Sequence, residues 1–227
     1  MPKQLTLPAP WKRRLYLPTY AVKDAARLAK ANSRTVSYWH FRGGSLGPAL
    51  PGRVRRQPLS YLQLIEVAFV STFRNFGVSL QRIRKARDYF GQRFDTEYPF
   101  AELRLKTDGH HVLMDMLEVE PDGELNRLIV GDAHGQLAWE KLVADRFAEF
   151  DYENDLTVVW HVAGRSSQIK IDPRIVFGTP NINGVPTRSL RGRSLAGEQV
   201  ADIAEDFGLD ETDVKQALAF EGVQLAA

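Results

Sequence analysis

The chain has 227 residues, 44% of them apolar and 26% charged, the balance of a globular protein long enough for two or three small cores. It has no cysteine, which excludes disulfides, thiolate catalysis and cysteine-held metal, and no apolar run approaches the ~18 residues that span a bilayer. The net charge of +2 conceals a segregation: residues 1–95 hold 18 basic and 4 acidic residues, whereas residues 96–227 hold 12 and 24. A basic block of this density is the footprint of a phosphate-binding surface. Divided at the charge reversal and at a later change of pattern, the chain reads as an α+β protein in three parts, residues 1–95, 96–165 and 166–227.

Met1 to Tyr20 is basic without an apolar core, so no signal peptide is expected and the cytoplasm is the expected location. From Val22, apolar residues recur at Ala25, Ala26 and Ala29, one face of a helix. Lys30-Ala31-Asn32 interrupts the pattern. Asn32 or Ser33 can cap a second helix by accepting from the free N–H groups of its first turn. Val36 and Trp39 form the inward stripe of that helix and leave Arg34, Thr35, Ser37 and Tyr38 for its outward face. Two short helices about a tight turn, with Arg near the start of the second, is the layout that places a helix in the DNA major groove.

Phe41 to Pro58 is rich in Gly and Pro and carries Arg53, Arg55 and Arg56, which suits a β-hairpin wing reaching phosphate. Ser60 and Gln63 form a capping box ahead of a long apolar helix. Its core face is Leu62, Ile65, Phe69, Phe73 and Phe76, and Gly77 ends it. Ser79 caps a fourth helix with Leu80, Ile83 and Phe90 inward and Arg82, Arg84, Lys85 and Arg87 outward.

On Tyr20-Ala21-Val22, the Ala25-Ala26 pair, Arg34 to Trp39 and Gly77 to Ile83, about 75 residues resemble the MerR-type winged-helix DNA-binding domain. The family usually reads Arg-Thr-Leu-Arg-Tyr-Tyr where this chain has Arg-Thr-Val-Ser-Tyr-Trp, so Ser37 replaces a cation. The wing is also longer than usual. The resemblance implies a homodimer on a pseudo-palindromic operator. Arg34, Thr35, Ser37 and Tyr38 would approach the bases, and Arg42, Arg53, Arg55 and Arg56 would neutralise backbone charge.

Residues 96–165 change character. Thr107-Asp108-Gly109 is a hairpin signal between Leu103–Lys106 and His110–Met116, and Arg127 to Val130 suits another strand. Leu137 to Tyr152 has helical spacing in Trp139, Leu142, Val143, Phe147 and Phe150, while Leu156–Val162 and Gln168–Ile171 read as strands. Four histidines lie here, His110, His111, His134 and His161, but adjacent strand positions point to opposite faces, so no metal site is expected. No catalytic constellation is present, and no cofactor is expected.

In the tail, Val200, Ile203, Ala204 and Phe207 form a helical stripe, Gly208 stops it and Asp210 caps a further helix with Val214, Ala217 and Leu218 inward. The pattern is again helix-turn-helix. Yet residues 198–215 hold seven acids and one base, so phosphate would repel the pair and a protein partner suits it better. About 55 residues here resemble a family of helical domains found in VapB-type antitoxins. The resemblance is carried by Asp172 to Val176, Gly178, Pro180, Gly184, Pro186 to Arg188, Gly197-Glu198, Ile203 to Gly208 and Val214 to Phe220. It implies a toxin partner, a PIN-like ribonuclease with an acidic, metal-holding active site. Arg188, Arg191 and Arg193, just ahead of the acidic helices, are the candidates to enter it; the alternative for the three is a solvated loop cluster. A head that binds its own operator and a tail that binds a toxin make an autoregulatory antitoxin. The alternative is a stand-alone MerR-like regulator with a ligand-sensing middle. The heptads of a dimerising coiled coil are missing after Phe90, which weighs against it.

Overall fold

The computed structural model describes residues 10–42, 47–75, 77–102, 144–154 and 156–224. Its architecture is α+β, helices with small two-stranded sheets. Two compact units divide the chain, Met1–Ala148 with Tyr152–Thr157, and Glu149–Asp151 with Val158–Ala227. The hairpin expected around Asp108-Gly109, the strand Arg127 to Val130, the core position Phe76 and the residues His110, His111 and His134 lie outside the described residues.

The first unit is built around helix α3 (Tyr61–Asn75), preceded by α1 (Val22–Leu28) and α2 (Ser33–Phe41) and followed by α4 (Leu80–Phe94). In α1 the buried residues are Ala25, Ala26 and Leu28, and small side chains let α2 pack close. Lys30 turns the chain at φ +53°, and the Asn32 side chain accepts from Arg34 N at 2.8 Å, capping α2 as expected. The Ser60–Gln63 capping box closes both ways: Ser60 N donates to Gln63 Oε1 at 3.0 Å and Gln63 N to Ser60 Oγ at 3.2 Å. Gly77 ends this run at φ +84°, and Ser79 caps α4 by accepting from Arg82 N.

Two expectations change here. Helix α3 does not bury one face only: every residue from Tyr61 to Ser71 is buried, because it runs through the centre of the unit. Phe69 alone meets Phe73, Phe100 and Phe147 at centroid distances of 6.3, 6.1 and 5.0 Å. The wing is also revised. Residues 47–58 form no strand pair among the described residues, since Pro48, Pro51 and Pro58 remove the donors that a ladder needs. Ala49 N and Leu50 N donate instead to Trp39 O, and Arg56 makes a tight turn at φ +68°.

The helix expected from Leu137 to Tyr152 is cut short. Residues 144–148 are helical, but β1 (Phe150–Glu153) is a strand paired with β2 (Leu156–Trp160). In the second unit Trp160 bridges Ile171 and Lys170 bridges Asn181, so the strand expected over Gln168–Ile171 contributes only isolated pairs. Strands β3 (Asn181–Ile182) and β4 (Val185–Pro186) form an antiparallel hairpin about Asn183-Gly184, both at positive φ. Three helices follow: α5 (Thr187–Leu195), α6 (Val200–Phe207) and α7 (Glu211–Phe220). The last two are the expected pair, with Ile203, Ala204, Val214, Ala217 and Leu218 buried and Gly208 at φ +61° between them.

Candidate functional site

The first candidate surface is the outward face of α2. Capping by Asn32 starts the helix where the sequence placed it, and burial of Val36 and Trp39 then fixes its rotation. Arg34, Thr35 and Tyr38 are exposed and Ser37 is half-buried. Asn32, Ser33, Arg34, Thr35 and Tyr38 line one open depression at the start of the helix. Here the N–H groups of the first turn and a guanidinium meet, an arrangement that suits an anion.

The arginines of the following loop fall into two kinds. Arg42, Arg55 and Arg56 are exposed. Arg53 is half-buried, donates from Nη1 to Gln57 O at 2.6 Å, and is held below its ordinary pKa by desolvation. Arg53 and Arg55 both stand over the Phe41 ring, at 4.9 and 5.6 Å from its centroid. Phe41 was not singled out in the sequence. Its partners lie 12 and 14 residues on, across a loop that carries no periodic signal.

Arg84, expected to face outward, is instead buried, and its Nη2 donates to Arg42 O at 3.3 Å. The correction has a physical reason: a cation can go under when the end of a neighbouring helix offers it a carbonyl. His40, on α2, is also buried, with Nδ1 at 3.0 Å from Pro51 O. Burial pushes its pKa down to about 4, so the neutral ring donates from Nδ1.

The second candidate surface is in the tail. Arg188, Arg191 and Arg193 do not stand in a loop; they are on α5. Arg188 and Arg191, three apart, are exposed on one face, with Leu195 63% exposed a turn further on. Arg193 points elsewhere. It pairs with both Glu198 and Asp206, lies 5.6 Å over the Phe207 ring, and its pKa is raised by those two acids. Arg193 therefore ties α5 to α6. Replacing it with Ala is expected to speed amide exchange across residues 198–207, while alanine at Arg188 and Arg191 leaves that exchange unchanged.

The residues that carry the tail's sequence pattern build its frame. Asp172 is buried and accepts from Arg174 N at 2.8 Å and from its guanidinium. Asn181, also buried, donates to Lys170 O and Thr179 O and accepts from Gly184 N. Thr187 Oγ1 lies 2.6 Å from Glu221 Oε1, joining the start of α5 to the end of α7. His161 belongs to a local ion cluster, 3.0 Å from Asp151 Oδ2, with Arg165 2.6 Å from Asp151 Oδ1. Burial pushes the Asp151 carboxyl up, but hydrogen bonds from His161 and Arg165 outweigh it and hold the pKa low. Among the described residues no group of three or more His, Cys, Asp or Glu is arranged to hold a metal ion. No helix among them is long and apolar enough to cross a membrane.

Residues 169–220 match a family described as "Protein of unknown function (DUF433)". The chain is 24% identical over 227 residues to a Mycobacterium tuberculosis protein named "Putative antitoxin VapB45", with 90% of this chain and 94% of that protein covered. The crystal structure of Rv2018 from Mycobacterium tuberculosis is similar in fold, with a TM-score of 0.71 at 21% identity, covering 90% of this chain and 99% of that one.

Proposed function

We propose that this chain is the antitoxin of a VapBC-like toxin–antitoxin pair. Its MerR-like head, residues 1–95, binds and represses its own operator, and its tail, residues 166–227, holds a PIN-like ribonuclease toxin. The observation that carries the reading is the similarity to a protein named as an antitoxin along nearly the whole of both chains, head as well as tail. A match confined to residues 169–220 would leave the basic head without a role.

The head's chemistry supports the DNA half. Arg34, Thr35, Ser37 and Tyr38 on α2 meet base edges, and Arg42, Arg53, Arg55 and Arg56 meet phosphates, with Phe41 holding two of those guanidiniums. A homodimer reads two half-sites. In the tail, Arg188 and Arg191 enter the toxin's carboxylate cluster and compete there with its metal. Arg193 serves the fold instead.

The two functions are separable on the full chain. With the duplex upstream of its own reading frame and the protein encoded beside it as ligands, Arg34→Ala is expected to weaken DNA binding and leave inhibition of the ribonuclease intact. Arg188→Ala with Arg191→Ala is expected to do the reverse. If the double variant inhibits as well as the parent, Arg188 and Arg191 lose their role. If the parent chain binds neither ligand, the antitoxin reading falls.

A further inference from the structure

Two exposed apolar side chains stand side by side ahead of α1. A 3-10 helix, Pro10–Tyr16, buries Leu15 and packs against α3. That burial fixes its rotation and leaves Tyr16 and Leu17 each 54% exposed. Side chains three apart eclipse in a 3-10 helix, so Arg13 shares the face of Tyr16. Arg13 is exposed and makes no ion pair among the described residues. Apolar residues exposed singly need no explanation, whereas a contiguous patch marks a contact surface.

This patch is completed by a second ring from beyond α4. Helix α4 stops at Phe94, where Asp95 turns the chain at φ +51°. Thr96 N then donates back to Gly91 O at 3.0 Å, and a side-chain carbon at Gly91 would meet Thr96 O at 3.1 Å. The chain thus folds back instead of running on as a dimerising helix. The returning turn is fixed by Tyr98 N donating to Thr96 Oγ1, and by Ala101 N and Glu102 N donating to Tyr98 O. It sets the Tyr98 ring 6.1 Å from that of Tyr16, edge to face. It also brings two acids to the patch: the pKa of Tyr16 is raised by burial and then by the charges of Glu102 and Glu97.

We infer that this face, with Tyr16, Leu17 and Tyr98 flanked by Arg13, Glu97 and Glu102, is where a second copy of the chain docks. A two-fold contact sets one patch against itself, so that residue i meets j and j meets i. A patch carrying both signs answers that demand. Arg13 of each copy faces Glu97 of the other, twice per dimer, around an apolar centre. Aromatic side chains within and charges at the rim are the anatomy of protein interfaces. DNA is a poor occupant, because the acids repel phosphate. The inference rests on the reading of the head as an operator-binding homodimer and names the face through which it pairs.

Sedimentation of the full chain without DNA tests it. The parent is expected to sediment as a dimer, and Leu17→Glu to raise the dimer dissociation constant by ~30-fold or more, the loss of a central apolar contact. Leu17 is exposed, so this variant is expected to keep the parental circular dichroism. Exchange of charge probes the pairing without touching the apolar centre. Arg13→Glu and Glu97→Lys are each expected to raise the constant by ~5-fold or more, and the two in one chain to return it to within ~2-fold of the parent. A parent that stays monomeric at micromolar concentration overturns the inference, as does a Leu17→Glu variant that dimerises like the parent. So does a double exchange that restores nothing, because the two charges then do not meet across the two-fold. A Leu17→Glu variant that loses its fold overturns it as well, since the face is then covered from within the chain. A parent that dimerises through this face yet leaves the duplex upstream of its own reading frame unbound removes the operator reading and keeps the interface.

Discussion

Replacing Arg34, Arg55 and Arg56 together by alanine is expected to weaken binding to the operator duplex by ~100-fold at physiological salt and to lower the slope of log K against log salt by ~1.8, the share of the two phosphate-contacting side chains, Arg55 and Arg56. The slope is the more telling quantity, because each lost phosphate contact removes ~0.9 from it whatever the base sequence. All three side chains are exposed, so their removal leaves no hole in the head. Arg34 sits in the depression at the start of α2, and Arg55 is positioned by the Phe41 ring beneath it. Arg84→Ala provides a contrast: Arg84 is buried against Arg42 O, so its loss is expected to lower the stability of the head before it touches any DNA contact. Titrations of parent and triple variant across a salt series decide the matter. An unchanged slope would remove Arg55 and Arg56 from the phosphate contacts.

The second large effect is on stability against pH, measured by denaturation of the full chain. Glu66 lies in the middle of α3, fully buried, with Oε1 accepting from Phe100 N at 2.7 Å and Ala101 N at 3.0 Å. Burial pushes its pKa from the ordinary 4.5 up to about 8, against the pull of those two hydrogen bonds. The unfolded chain ionises near the ordinary value while the folded chain keeps its proton. The stability that Glu66 contributes is therefore complete below 4.5 and is lost as pH rises through about 8. His40 works in the other direction: its folded pKa is lowered from 6.5 to about 4, so its contribution is complete above 6.5 and lost as pH falls through about 4. The first unit is thus expected to be most stable in a mildly acidic window between the two. Glu66→Gln keeps the accepting oxygen and abolishes the titration. It is expected to match the parent near pH 5 and to exceed it by on the order of 3 kcal/mol at pH 8. A parent whose stability is flat from pH 5 to 8 would contradict this.

Features set by a few consecutive residues were legible in the sequence. The Asn32 cap, the Ser60–Gln63 box, the Ser79 cap, Gly77 and Gly208 all act within one turn of chain, so residue type and spacing suffice to identify them. The outward face of α2 followed from Val36 and Trp39 in the same way. What escaped depends on distant partners. Phe150 fits a helical spacing with Trp139 and Phe147, yet pairing of β1 with β2 wins over that local pattern. Arg84 reads as a surface charge because polarity alone points outward, yet it is satisfied by a carbonyl 42 residues back. The burial of Glu66 has no local signal, because the amides that satisfy it lie 34 and 35 residues ahead. Asn183-Gly184, at positive φ between β3 and β4, carries its hairpin signal in residue type alone. The turn at Val176 and Phe177, both at positive φ, had no signal at all, since both residue types argue against the conformation they adopt.

The grip of Arg84 on Arg42 O has an effect on the field around α2. An α-helix is polarised, with its amino end positive and its carboxyl end negative. At the carboxyl end of α2 the Trp39 carbonyl is taken up by Ala49 N and Leu50 N, and the Arg42 carbonyl meets a buried guanidinium. The negative pole is thereby quenched inside the protein. The positive pole, at Ser33 and Arg34, stays open to solvent. Toward a polyanion α2 is thus expected to behave as a one-ended magnet, its approach oriented ahead of any contact.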